Sequence, residues 1–99
     1  MTKRHTSIEP VHPGEILRDD VHPALGLTKP ALAEALGVSR QTLHELFTLK
    51  RSITPEMAVR LEAVVGSTAE TWLSLQAERD LWEVRRSGKL KGLKRLKAA

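Results

Sequence analysis

Two short apolar segments joined by Gly37-Val38-Ser39 constrain the fold of this chain more than any other feature. Apolar residues recur at helical spacing on both sides of the junction, with Leu32, Ala33 and Leu36 before it and Leu43, Leu46 and Phe47 after it. Thr28 and Ser39, which precede the two segments, are residue types that cap helix N-termini. Glycine adopts the left-handed backbone of a sharp turn at no steric cost. The pattern therefore predicts two short helices set at a steep angle.

Comparable start and stop signals divide the rest of the chain. Helix starts are indicated at His12-Pro13, at Thr54-Pro55 and at Ser67 or Thr68, and helix ends at Pro23 with Gly26, at Gly66 and at Ser87-Gly88. Aromatic residues make up only 3% of the chain, so aliphatic side chains must form the core, which favours packed helices over a sheet. We predict an all-α, five-helix domain over residues 12–86, with a flexible arm over 1–11 and a basic tail over 87–99.

The net charge of +4 is concentrated at one end of the sequence. Seven of the 16 basic residues follow Val84, namely Arg85, Arg86, Lys89, Lys91, Lys94, Arg95 and Lys97. The other residues carry nine basic against 12 acidic side chains, so overall charge alone does not predict a nucleic-acid partner. The absence of cysteine excludes disulfides and thiolate metal sites. With no secretory signal and no apolar run of membrane length, we expect a cytoplasmic protein without a membrane partner.

The second helix of the pair carries residues suited to reading DNA. Polar side chains lie off its apolar stripe, and we predict that Arg40, Gln41, His44 and Glu45 contact base edges. Glutamine pairs with adenine, arginine with guanine, and glutamate accepts from cytosine. The predicted phosphate contacts are Thr28, Lys29, Ser39, Thr42, Lys50 and Arg51. From the periodicity and the turn alone, a helical hairpin with an ordinary polar surface remains an open alternative.

A family resemblance extends this pattern. The segment 33–43 resembles the helix-turn-helix of phage-repressor and Cro-like regulators, which have the lambda-repressor-like fold. Further segments resemble the HigA-type (VapI-type) antitoxins: 12–18, 50–55, 58–61, 68–76 and 79–83. The loop over 48–52 lacks both glycines that are usual in this family, which predicts an altered loop geometry.

The resemblance implies a five-helix homodimer that represses its own operon on double-stranded operator DNA and neutralises an mRNA-cleaving, HigB-like toxin. Leu75, Leu81 and Trp82 lie beyond the minimal DNA-binding unit, and we expect them at the dimer interface, although Trp82 is equally compatible with packing inside one chain. For Trp72 we expect a place in the core. Because a basic toxin would be repelled by the tail, we expect the toxin contact at acidic residues of the body: Glu9, Glu15, Asp19 and Asp20.

Other features do not predict catalysis or cofactor binding. The four histidines, His5, His12, His22 and His44, include no pair at i, i+4 on one helix. Asp19 and Asp20 are adjacent on a helix and point in different directions, which does not suit a paired-carboxylate site. We therefore expect no enzyme activity, no metal site and no cofactor. Two alternative functions stay open, namely a repressor of the same fold without a toxin and a protein-interaction module that no longer binds DNA.

Overall fold

The computed structural model describes residues 9–96, and within that range it consists of helices joined by turns. Helix α1 covers 13–25, where α-helical Pro13–Ile16 and His22–Leu25 flank a π-helical segment, Leu17–Val21. The other helices are α2, Lys29–Leu36; α3, Arg40–Phe47; α4, Pro55–Val65; and α5, Ala69–Ser87. The all-α, five-helix prediction is confirmed. Residues 1–8 of the predicted arm and residues 97–99 of the predicted tail lie outside the described residues.

Four helices begin with a hydroxyl cap. The hydroxyl of each capping residue accepts a hydrogen bond from the backbone N–H three residues later, at Thr28, Ser39, Thr54 and Thr68. Left-handed glycines end three of the helices, with φ of 70° at Gly26, 74° at Gly37 and 73° at Gly88. These are the start and stop residues that the sequence predicted, and their spacing limits α2 and α3 to eight residues each.

Helix α1 differs from its prediction at Pro23. The helix does not end at this proline and continues to Leu25 before Gly26 closes it. A proline ring inside a regular α-helix conflicts with the carbonyl four residues earlier. Here the wider π-helical turn, with the N–H of His22 bonded to the carbonyl of Leu17, comes directly before Pro23. The wider turn moves the preceding carbonyls away, which explains why the helix passes through the proline.

The core lies between α3 and the helices around it. Its fully buried side chains are Leu17, Leu32, Leu36, Leu43, Leu46 and Leu61. Trp72 is 3% exposed, as expected, and its indole N–H donates to the carbonyl of Gly66 at 3.3 Å. At Gly14 the backbone of α1 approaches α3 so closely that a Cβ there would lie 2.2 Å from the carbonyl oxygen of Leu46. This contact fixes the position of α1 against the carboxyl end of α3.

The turn between α2 and α3 and the loop after α3 are each held by a distant polar side chain. Arg60 of α4 donates from Nη1 to the carbonyls of Leu36, at 2.9 Å, and Gly37, at 3.2 Å. Gln76 of α5 is 4% exposed, and its Oε1 accepts from the N–H of Ile53 at 2.8 Å. Both contacts span more than 20 residues, and no local sequence pattern predicts them.

The two ends of the described chain differ in structure. Residues 9–11 of the predicted arm lie against α5, where Arg79 Nη1 donates to Glu9 Oε2 at 2.8 Å and to the carbonyl of Pro10 at 3.0 Å. At the other end, 88–96 forms turns and irregular chain and does not continue α5 as a helix. Its leucines are largely exposed, at 57% for Leu90, 75% for Leu93 and 84% for Leu96.

Candidate nucleic-acid interface

Helix α3 presents one face to the core and the opposite face to solvent. Leu43, Leu46 and Phe47 anchor the helix, since each is at most 4% exposed. Three of the residues predicted to read bases, Arg40, Gln41 and His44, lie on the exposed face. The geometry therefore leaves these side chains able to reach a groove without disturbing the core.

The N-terminus of α2 adjoins this exposed face. A cleft of about 250 Å³ is lined by Lys29, Pro30, Arg40, Gln41, Leu43 and His44. The ammonium of Lys29 lies 5.6 Å from the centre of the Phe47 ring, which orients it by a cation–π contact. The structure thus brings the predicted phosphate contact Lys29 next to the predicted base-reading residues.

Two of the three hydroxyl residues predicted at phosphates, Thr28 and Ser39, are helix caps. Thr28 Oγ1 accepts from the N–H of Ala31 at 3.2 Å, and Ser39 Oγ accepts from the N–H of Thr42 at 3.0 Å. Ser39 also donates its hydroxyl proton to Thr42 Oγ1 at 2.9 Å, so that proton is unavailable to a phosphate. Thr28 and Thr42 keep their own hydroxyl protons for an outside acceptor.

Glu45, predicted to read a base, and Arg51, predicted to contact a phosphate, form an ion pair with each other. Glu45 Oε1 accepts from Arg51 at 3.0 Å from Nε and 2.6 Å from Nη2, while Oε2 accepts from Gln41 Nε2 at 3.0 Å. Hydrogen bonds from Gln41 first, and then from Arg51, lower the pKa of the Glu45 carboxyl. Both carboxylate oxygens thus already accept side-chain hydrogen bonds, and Arg51 has its Nε and Nη2 engaged with Glu45.

The loop that carries Arg51 has a defined geometry despite lacking glycine. Leu49 adopts φ of 64°, in the left-handed region that glycine usually fills. The N–H of Lys50 then bonds to the carbonyl of Glu45 at 2.8 Å and that of Leu49 to Leu46 at 3.2 Å, which closes α3 with a Schellman motif. This turn directs the chain back along α3 and brings Arg51 beside Glu45.

Several arginines in residues 9–96 pair with carboxylates, whereas three cations on or near α3 do not. Arg18 pairs with Asp19, Arg60 with Glu56, and Arg79 with Glu9 and Glu83. Within residues 9–96, no ion pair joins Lys29, Arg40 or Lys50 to a carboxylate, and all three side chains are exposed. Their charges therefore remain available to a polyanion.

The residues predicted at a dimer interface lie on α5. Leu75 is half-buried, Leu81 is 49% exposed, and Trp82 lies between the guanidinium groups of Arg79, at 5.1 Å, and Arg86, at 4.9 Å. Leu81 and Trp82 line an open groove of about 640 Å³ together with Pro10, Glu78, Arg85 and Arg86. Trp82 is thus a surface residue and takes no part in the core, which leaves an apolar surface on α5.

The residues predicted to contact a toxin lie on or near α1, and arginines hold Glu9 and Asp19 among them. Glu9 pairs with Arg79, and Asp19 accepts from Arg18 Nε at 2.7 Å and from Nη2 at 2.9 Å. Arg18 also donates from Nη1 to the carbonyl of Phe47 at 2.9 Å, a link between α1 and the end of α3 that sequence reasoning missed. Glu15 is half-buried and Asp20 is exposed.

Residues 9–96 contain neither a metal-binding cluster nor a membrane-spanning helix. No group of three or more histidine, aspartate or glutamate side chains in this range is arranged to hold a metal ion. No helix in it has the length and apolar character needed to cross a membrane.

Known proteins share this fold and much of this sequence. Residues 24–73 match the family described as Helix-turn-helix. Antitoxin HigA-1 of Vibrio cholerae serotype O1 is 40% identical over 82 residues, which cover 83% of this chain and 77% of that protein. A solved structure of antitoxin GraA aligns with a TM-score of 0.83 at 33% identity, covering 91% of this chain and 100% of that one.

A second solved structure contains DNA. It is Pseudomonas aeruginosa antitoxin HigA with the higBA promoter, and it aligns with a TM-score of 0.81 at 33% identity, covering 89% of this chain and 99% of that chain. The family match spans the two helices and the turn described above, and the likeness to the antitoxins continues along most of the chain. The chain therefore belongs to the helix-turn-helix family and, within it, to the HigA antitoxins.

Proposed function

We propose that this chain is an antitoxin that represses its own operon by binding operator DNA as a homodimer, and that it neutralises an mRNA-cleaving toxin. In this role the chain catalyses no reaction. One observation carries the DNA-binding part: exposed Arg40, Gln41 and His44 on α3 line a cleft with Lys29, which has no carboxylate partner among residues 9–96. The related antitoxin HigA has been solved with promoter DNA, which supports DNA binding by this chain.

Substitutions at Gln41 and Lys29 test the DNA-binding part. Gln41→Ala should weaken binding to a palindrome from the chain's own promoter by roughly 1–3 kcal/mol and leave non-specific binding nearly unchanged, because a base contact is lost. Lys29→Ala should weaken binding to all sequences about equally and flatten the salt dependence, because a phosphate contact is lost. Titrations with promoter and random-sequence duplexes at several salt concentrations measure both effects. Unchanged promoter affinity in Gln41→Ala would contradict the placement of α3 in the groove.

The dimer part of the proposal rests on α5. Two copies of a short recognition helix must read half-sites about one DNA turn apart, roughly 34 Å, to give high affinity. The groove at Leu81 and Trp82 offers an apolar surface on which a second copy can pack. Leu75 lies two helical turns before Trp82 and extends the same surface.

The toxin part of the proposal is tested by co-expression with the toxin encoded beside this chain. We expect acidic residues on α1 to make the contact, so Glu15→Lys combined with Asp20→Lys should abolish growth rescue. Asp19 is left unchanged because Arg18 connects it to Phe47 at the end of α3. Glu34→Lys with Glu70→Lys is a control with the same change of charge at two exposed side chains on other helices.

Truncation after Gly88 separates the surface of the folded body from the tail. It removes five basic residues and keeps the glycine that ends α5, so rescue should persist. Loss of rescue on truncation would instead assign neutralisation to the tail. A genome without a toxin gene beside this one would favour a repressor acting alone.

A further inference from the structure

Glu45 receives hydrogen bonds from two side chains that face the predicted DNA surface. It lies one helical turn after Gln41 on α3 and six residues before Arg51 in the loop. Its side chain is only 28% exposed, and its two oxygens accept from Gln41 and Arg51, respectively. Glu45 therefore positions both the Gln41 amide and the Arg51 guanidinium.

The contact with Gln41 fixes the direction of the amide. A carboxylate only accepts hydrogen bonds, so the NH₂ group of Gln41 must face Glu45 and its Oε1 must face away. Gln41 then offers an acceptor and its second N–H donor in one fixed order. Adenine presents the complementary pair in the major groove, a donor at N6 and an acceptor at N7. An amide free to rotate by half a turn would offer the groups in either order and discriminate less.

The contact with Arg51 keeps its positively charged guanidinium at the Glu45 carboxylate. Arg51 is itself one of the predicted phosphate contacts, but its Nε and Nη2 both donate to Glu45. The Schellman turn at Leu49 positions it there. A guanidinium paired in this way is poorly placed to neutralise a phosphate, so binding that does not depend on sequence is weakened.

We propose that Glu45 is a positioning residue for sequence discrimination, which orients the Gln41 amide towards adenine and withholds Arg51 from the DNA backbone without contacting a base itself. This inference rests on the proposed function, because it assumes that α3 lies in the major groove.

The test uses Glu45→Gln in the full chain. The probes are the duplex that the wild-type chain selects from a random-sequence pool, single base-pair variants of that duplex, and an unselected random-sequence duplex. The variant keeps the size of the side chain and removes its charge and its fixed acceptor character. Affinity for the unselected duplex should rise, and the slope of log affinity against log salt should steepen by about 1.8 for the dimer, or about 0.9 for the phosphate contact added by each protomer. Discrimination at the A·T pair read by Gln41 should fall about tenfold, within the range that one bidentate contact provides.

Two further variants separate the two effects. Glu45→Gln combined with Arg51→Met should return the salt slope to the wild-type value while discrimination stays low. In a Gln41→Ala background, Glu45→Gln should cause no further loss of discrimination, because the amide that it orients is absent. Both results differ from those expected if Glu45 only stabilised α3, since loss of stability would reduce binding to every duplex.

Other outcomes would overturn the proposal. Loss of preference at a base pair that Gln41→Ala does not affect would make Glu45 a base-reading residue. Unchanged discrimination and unchanged salt slope in Glu45→Gln would remove it from recognition altogether. If Gln41→Ala itself leaves the selected duplex bound as before, the proposed function fails, and that result is separate from any behaviour of Glu45.

Discussion

His12 has two properties that make the start of α1 sensitive to pH. It is 6% exposed, and its Nδ1 accepts a hydrogen bond from the N–H of Gly14 at 2.9 Å, so it caps the helix in its neutral form. Burial first, and then the charge of Arg79, lower the pKa of His12 below its ordinary value, although the nearby carboxylate of Glu15 raises it. Protonation would also place a donor where the cap requires an acceptor.

The lowered pKa of His12 makes the stability of the fold depend on pH. Neutral His12 stabilises the fold fully above its unfolded-state pKa of about 6.5, and this contribution is lost as the pH falls through the lower folded-state pKa. The Tm of the wild-type chain should therefore decrease between pH 7 and pH 5 more steeply than that of His12→Asn, which keeps a cap acceptor that does not titrate. Calorimetry at several pH values measures both slopes. Equal slopes would show that His12 does not contribute to the pH dependence.

Single residues on the exposed face were predictable, but their partners were not. The helical period alone placed Arg40, Gln41 and His44 away from the core, and the structure agrees. The pairing of Glu45 with Arg51 depends on the path of the loop, which turns at a leucine in the left-handed region. Because sequence rules assign that conformation to glycine, the sequence could not reveal which carboxylate Arg51 meets.

At the level of elements, the turn between α2 and α3 depends on Arg60 of α4. Arg60→Met should remove two hydrogen bonds from a charged donor to the carbonyls of Leu36 and Gly37. Because the Arg60 side chain is 37% exposed, water compensates for part of the loss, and we expect a decrease of about 1–2 kcal/mol in the free energy of unfolding. Urea denaturation measures it. Operator affinity should fall as well, since the turn sets the angle of α3.

Glu56→Gln is the matched control. It removes the ion-pair partner of Arg60 and leaves the carbonyl contacts in place, and Glu56 is 76% exposed, so its effect should stay below about 0.5 kcal/mol. If the two variants lowered stability equally, the surface ion pair rather than the turn would account for the role of Arg60.

The helices themselves were largely predictable because their ends carry local chemical signals. Hydroxyl caps and glycines act within three or four residues, so they can be recognised in sequence. The π-helical segment Leu17–Val21 has no such signal. It arises where Pro23 must be accommodated in a helix whose two ends are both fixed, by Gly14 against Leu46 and by Gly26. That constraint involves another helix, and so it is invisible to a local pattern.

For the whole molecule, the proposed dimer can be tested separately from the fold. Leu81 is 49% exposed, so Leu81→Glu should leave the Tm almost unchanged at concentrations where the chain is monomeric. It should weaken self-association by about 2 kcal/mol or more, because it places a charge in an apolar contact. Light scattering over a range of concentrations measures the association. Val59→Glu on α4, where the side chain is 56% exposed, makes the same chemical change away from the groove and should have no such effect. A wild-type chain that stays monomeric at concentrations sufficient for operator binding would refute the dimer.

The two tryptophans give the molecule separate optical reporters. Trp72 is enclosed in the core, whereas Trp82 lies at the surface between two guanidinium groups. Indole emission shifts to longer wavelength as water reaches the ring, so the two residues respond to different events. Unfolding must expose Trp72, while dissociation of a dimer formed through α5 changes only the surroundings of Trp82. With Trp82→Phe the remaining emission follows folding, and with Trp72→Phe it follows assembly, so the same spectrometer can time both steps.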